Sequence, residues 1–93
     1  MNLELEIRRH AAAHKLDVRT ATIVVERALI REPVLEFDRD YTLEEICGEL
    51  FWARYAYVGR RIGLFFASMV RHGCLPFRHS RIRSDRHRLY RRV

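Results

Sequence analysis

Acidic side chains are nearly missing from the second half of this chain: Asp85 is the one acid among residues 54–93, against 11 arginines. That stretch carries a formal +10, while residues 1–53, with 7 basic and 11 acidic side chains, carry a formal −4. A surface that only keeps a small domain in solution mixes its signs. The imbalance therefore points to a polyanionic partner for one face or end of the molecule. Lysine is scarce as well, one against 17 arginines. Guanidinium groups suit bidentate contacts to phosphate and guanine, although a coding bias toward arginine produces the same ratio.

Other absences narrow the field further. Cys47 and Cys74 lack CxxC spacing, and a chain with 48% hydrophobic residues needs no disulfide scaffold. Both read as small buried hydrophobes in a reducing compartment. The longest apolar run, residues 62–70 with Gly63 and Ser68 counted leniently, falls far short of the about 20 residues a membrane helix requires. Met1-Asn2-Leu3-Glu4-Leu5-Glu6 offers no basic leader before an apolar stretch, so the expected setting is cytoplasmic, with no membrane partner. There is no glycine-rich phosphate loop and no nucleophile elbow. The acids Asp17, Glu26, Glu32, Glu36, Asp38 and Asp40 read as caps, turns and solvated faces, and the expectation is no enzyme and no cofactor. His10, His14, His72, His79 and His87 match no recognised metal spacing, so no metal is expected. His72 reads as a helix C-terminal stabiliser, and His79 and His87 as part of the basic surface.

What is present is helical periodicity. Leu3, Ile7 and Ala11 are spaced by four across residues 2–14, and Ala11-Ala12-Ala13 favours a helix there. Val18, Ala21, Val25, Ala28 and Leu29 repeat the signal over Val18–Arg31, with Asp17 as N-cap and Pro33 ending the run. Val34-Leu35-Glu36-Phe37 reads as a short strand or an extended packing segment. Thr42-Leu43-Glu44-Glu45 is a T-x-x-E capping box, and Leu43, Ile46, Cys47 and Leu50 give the helix after it one apolar face. Phe51-Trp52 reads as the turn out of that helix, with Trp52 plugging the junction.

From residue 54 to residue 72 the stripe resumes through Val58, Ile62, Phe65 or Phe66, Met69 and Val70, closed by Gly73 at the left-handed C′ position. It predicts one long helix, broken near Gly59 or Gly63. Tyr55 and Tyr57 cannot share a face of it, and Phe65 with Phe66 exceeds what one stripe needs, which assigns one of them to a dimer interface. The final segment, with arginines on both sides of Ser84-Asp85, reads as an Arg-studded hairpin or as a disordered basic tail.

Helix, extended segment, capped helix, turn, basic helix closed by glycine, and Arg-rich hairpin together resemble the winged helix-turn-helix family. The stretch Thr42-Leu43-Glu44-Glu45-Ile46-Cys47-Gly48-Glu49-Leu50 looks like the family's helix before the turn. Ile62, Phe66, Met69 and Gly73, with Leu75 following, match the spacing at the end of its recognition helix. The segment from Leu50 to Ile62 is longer than in the compact motif, so either the turn is enlarged or the recognition helix is extended. The resemblance, which covers roughly residues 18–93, implies a mostly α fold with a small C-terminal β-hairpin, and 93 residues make one small domain over residues 1–93. Its parts are N-terminal helices in 1–32, the helix-turn-helix in 41–73 and a basic wing or tail in 74–93.

It further implies sequence-specific binding of double-stranded DNA by a small transcriptional regulator, as a homodimer. Arg54, Tyr55, Tyr57, Arg60 and Arg61 would serve the groove-reading helix, and Arg78, Arg81, Arg83, Arg86 and Arg88 the backbone-holding hairpin. The alternatives are a protein-interaction module of the same fold that grips an acidic protein, and an RNA-binding protein.

Overall fold

The first three helices each begin where a side chain meets their unpaired amides. The computed structural model describes residues 1–82 and 88–93; Arg83, Arg86, His87 and the turn assigned to Ser84-Asp85 lie outside the described residues. Helix α1 (Leu3–Ala13) starts at Asn2, whose Oδ1 accepts from the Leu5 amide at 3.1 Å, and it buries Ile7, His10 and Ala11. Helix α2 (Val18–Arg31) starts at Asp17, which accepts from the Thr20 amide. Ala21, Val24, Val25 and Ala28, one face at i, i+3, i+4 and i+7, turn inward from it.

Pro33 does not stop the chain from coiling for one more short stretch. Its fixed φ and missing N–H suit the first turn of the 3₁₀ segment Glu32–Val34, and only Leu35 beyond it is extended. Of residues 34–37, Val34 ends the 3₁₀ segment and no strand forms, while Leu35, extended and buried, serves as the packing residue of the alternative reading. The real strand stub lies at Tyr41, which exchanges two backbone hydrogen bonds with Tyr90, both 2.8 Å.

Thr42 forms the capping box in full: its hydroxyl accepts from the Glu45 amide, and the Glu45 carboxylate accepts from the Thr42 amide at 2.9 Å. Helix α3 (Leu43–Cys47) ends after five residues, because Gly48 sits at φ +98°. Helix α4 (Glu49–Arg54) restarts at once. Phe51 and Trp52 are therefore helical, not a turn, and Gly48 is the break. A second 3₁₀ segment, Ala56–Val58, leads into helix α5 (Gly59–Arg71). The residues added between Leu50 and Ile62 enlarge the turn, and α5 is not lengthened toward residue 54 and runs unbroken through Gly63. Gly73 holds φ +72° at its end.

Strands β1 (Phe77–Ile82) and β2 (Arg88–Arg92) pair antiparallel, with a register shift between His79 and Arg81. Phe66 fastens this hairpin to α5: its ring lies 5.0 Å edge-on from Tyr90 and 5.8 Å from Phe77. Phe65 and Phe66 are both fully buried, together with Ile46, Ile62 and Met69. Neither phenylalanine is available to a dimer contact, because the core takes residues from α1, α2, α3 and the hairpin as well as from α5. Burial of one such ring stabilises by about 1.5–3 kcal/mol.

The architecture is mostly helical with a small C-terminal β-hairpin, in an order compatible with a winged-helix arrangement. Among the described residues no helix is long and apolar enough to cross a membrane.

Candidate nucleic-acid interface

The arginines of the second half divide into two groups. Arg81, Arg91 and Arg92 turn back onto acids of the first half. Arg91 Nε donates to Asp40 Oδ1 at 2.7 Å, Arg81 Nε lies 3.4 Å from Asp40 Oδ2, and Arg92 Nε donates to Glu32 Oε1 at 2.6 Å. Ser80 adds a hydroxyl bond of 2.6 Å to Asp40. The Ser80 hydroxyl and then the Arg91 guanidinium hold the Asp40 carboxyl below its ordinary range. Arg92 also donates to the Leu35 carbonyl at 3.1 Å and lies 4.1 Å over the Phe37 ring. These three side chains fasten the hairpin to the acidic half. Arg81 remains largely exposed while doing so.

Among the described residues, Arg54, Arg60, Arg61, Arg71, Arg78 and Arg88 form the other group. Among the described residues, none of them has a carboxylate within 4.0 Å. Arg54 closes α4, while Arg60 and Arg61 are exposed in the first turn of α5. That turn has no acid, and Val58 at its N-cap offers no side-chain acceptor. Cations at the positive end of a helix raise its energy unless an anion compensates them, and free amides at such an end are donors for phosphate.

Arg60 and Arg88 meet across a cleft of about 460 Å³, walled by Trp52, Gly59, Gly63 and Tyr90. One guanidinium comes from the basic helix and the other from the hairpin. Among the described residues, one carboxylate, Glu44, stands in the lining with them. Trp52 is half-buried, packed against the core as expected of a junction plug, and it also walls the cleft. Tyr90, buried beneath it, has a hydroxyl pushed up to about 12 by burial, so it remains a neutral phenol.

Tyr55 and Tyr57 are not on the basic helix. Tyr55 precedes the 3₁₀ entry and Tyr57 lies within it, where their rings stack at 6.4 Å with Tyr55 also 4.7 Å from Phe51, and Tyr57 is 80% exposed. Arg78 is exposed on β1. His79 is more than a basic surface residue: its Nε2 lies 3.2 Å from the Ala67 carbonyl of α5. His72 Nδ1 meets the Ser68 carbonyl at 2.9 Å, as expected of a histidine closing a helix.

Sequence reasoning missed two participants. Trp52 and Gly63 enter the cleft only because α4 and α5 are packed as they are, and no local spacing announces that. No family model, curated protein or solved structure matches the chain.

Proposed function

We propose that the protein is a winged-helix module that binds double-stranded DNA and acts by occupancy as a small regulator. In this reading the first turn of α5, with Arg60 and Arg61, enters the major groove. Arg54 and Tyr57 contact the strand at its entrance. Arg78 and Arg88 of the hairpin hold the backbone, with Arg83 and Arg86 assigned to the same role from sequence. Arg81 contributes positive field while tied to Asp40.

The observation that carries the reading is the cleft lined both by Arg60 of the helix and by Arg88 of the strand. A phosphate seated there would bridge helix and hairpin and compensate the two cations near the start of α5, where no side chain supplies an acceptor. A major groove admits a helix of about 10–12 Å diameter that presents donors, and α5 presents Arg60 and Arg61 at its exposed first turn, while Ile62 and residues 65–70 are buried in the core. Each phosphate neutralised on duplex DNA releases about 0.9 counterion, so binding weakens steeply as salt rises.

The test is a fluorescence titration of random duplex DNA at two salt concentrations, with a single-stranded RNA pool and an acidic peptide as controls. Duplex binding that weakens with salt and exceeds both controls supports the reading. Absence of duplex binding at the lower salt, or preference for RNA or peptide, overturns it. Selection from the random duplex pool then shows whether one half-site or two, about 34 Å apart, are occupied, which decides between monomer and dimer.

A further inference from the structure

Away from the basic face, α1 and the α5–β1 link bring together three side chains that can bind metal. Glu6 Oε2, His10 Nε2 and Cys74 Sγ all lie within 4.8 Å of one another, with His10 and Cys74 buried and Glu6 half-buried. We infer that Glu6, His10 and Cys74 form a binding site for a divalent transition metal of the zinc type, which staples α1 to the segment leading into the hairpin.

The decisive observation is His10. The residue is 5% exposed, and its Nε2 is buried without a hydrogen-bond partner. A buried polar nitrogen left without a partner is costly. It lies 3.4 Å from Glu6 Oε2, close enough to pair with the carboxylate when the ring is protonated but misaligned for a hydrogen bond, and Glu6 Oε2 is 4.0 Å from Cys74 Sγ. Tetrahedral zinc with Zn–N and Zn–O near 2.0–2.1 Å and Zn–S near 2.3 Å places N and O about 3.4 Å apart, and S about 3.6 Å from either. The nitrogen–oxygen edge already has that length, and the sulfur has at most about 1.2 Å to close.

The surroundings orient the donors as an outer shell does. Ser68 Oγ lies 2.7 Å from His10 Nδ1, and with Nδ1–H donated to it the Nε2 lone pair is left for the ion. Arg9 donates to Glu6 Oε1 at 3.1 Å and leaves Oε2 for the same purpose. The His72 ring stands edge-on to His10 at 4.8 Å and closes one side. On binding, the Cys74 thiol gives its proton to solvent. Thiolate, carboxylate and dication then sum to zero charge, so the complex can be buried without a net ion, and a water completes the fourth position.

This site is independent of the DNA reading, and its test needs no DNA. The full chain, stripped with a chelator under reducing conditions, is titrated with Co²⁺ and then with Zn²⁺. The expected result is one Co²⁺ per chain, with visible bands of tetrahedral cobalt and a near-ultraviolet thiolate-to-cobalt band, both removed when Zn²⁺ displaces it. Cys74→Ser abolishes the thiolate band, while Cys47→Ser keeps it. Ser68→Ala, which leaves all three donors in place, lowers affinity about 10- to 100-fold, and Glu6→Gln, at a half-buried position, lowers it further. Circular dichroism identifies the folded variants on which these comparisons are made. A folded wild-type chain without the thiolate band, a band that survives Cys74→Ser, or unchanged affinity in both Ser68→Ala and Glu6→Gln overturns the assignment.

Discussion

Arg91 Nε and Asp40 Oδ1 meet at 2.7 Å although 51 positions separate them in sequence. Asp40 also takes the Ser80 hydroxyl and faces Arg81, so one carboxylate gathers three groups of the hairpin. Part of the positive charge of the second half is thereby spent internally, on holding the hairpin in place. Only the remainder is available to a ligand.

A pH dependence follows from that carboxylate. The folded-state pKa of Asp40 is depressed, first by the Ser80 hydrogen bond and then by Arg91. Its stabilisation is present above the unfolded carboxylate value and is lost as pH falls through the folded value. Asp40→Asn should therefore unfold at lower urea concentration than the wild type at neutral pH, with the gap closing in acid. A gap that stays constant down to pH 3 would place the stabilisation elsewhere.

Gly48 is the hinge between α3 and α4, and a side chain there is strained twice over. Its φ is +98°, and an added Cβ would sit 3.0 Å from Arg27 Nη2. Arg27 is itself fixed, donating to the Cys47 carbonyl at 2.6 Å and lying over the Phe51 ring. Gly48→Ala should destabilise the fold by about 1–3 kcal/mol, measured by chemical denaturation. A change near zero would mean that α3 and α4 can run as one helix.

Local signals in the sequence were legible where the physics is local. Asp17, the Thr42 box and Gly73 mark helix ends through groups a few residues apart, and all three stand where expected. The break at Gly48 was hidden because Leu43, Ile46, Cys47 and Leu50 form an unbroken helical stripe. The left-handed glycine re-phases it, so that Leu50 is 90% exposed while Phe51 takes the buried position. The Arg60–Arg88 cleft, the Tyr41–Tyr90 bridge and the His10–Ser68 pair join positions 28, 49 and 58 residues apart. Such pairings depend on tertiary packing. Charge asymmetry showed which half to inspect, but not which arginines face solvent and which face Asp40 and Glu32.

Helix and hairpin arginines should fail differently on DNA. Replacing Arg60 and Arg61 with Ala should relax sequence preference, with each lost base contact costing about 1–3 kcal/mol of discrimination. Replacing Arg78 and Arg88 with Ala should weaken binding to every duplex alike and lower the salt slope by about 2. Parallel titrations on a selected and a random duplex separate the outcomes. Identical behaviour of the two double variants would remove the division of labour between α5 and the hairpin.

Gly63 lets stability and binding be moved in opposite directions. It lies inside α5, where an added Cβ meets nothing within 4 Å, yet it also walls the cleft between Arg60 and Arg88. Alanine in a helix interior is favoured over glycine by about 0.5–1 kcal/mol, so Gly63→Ala should raise the thermal midpoint. If a phosphate backbone seats in the cleft, the same methyl group should reduce duplex affinity, and Gly63→Leu should reduce it more. A thermal melt and a duplex titration on the same preparations decide the matter, because a misfolded variant cannot melt later than the wild type. Raised stability with unchanged affinity in both variants would show that DNA does not enter between the helix and the hairpin.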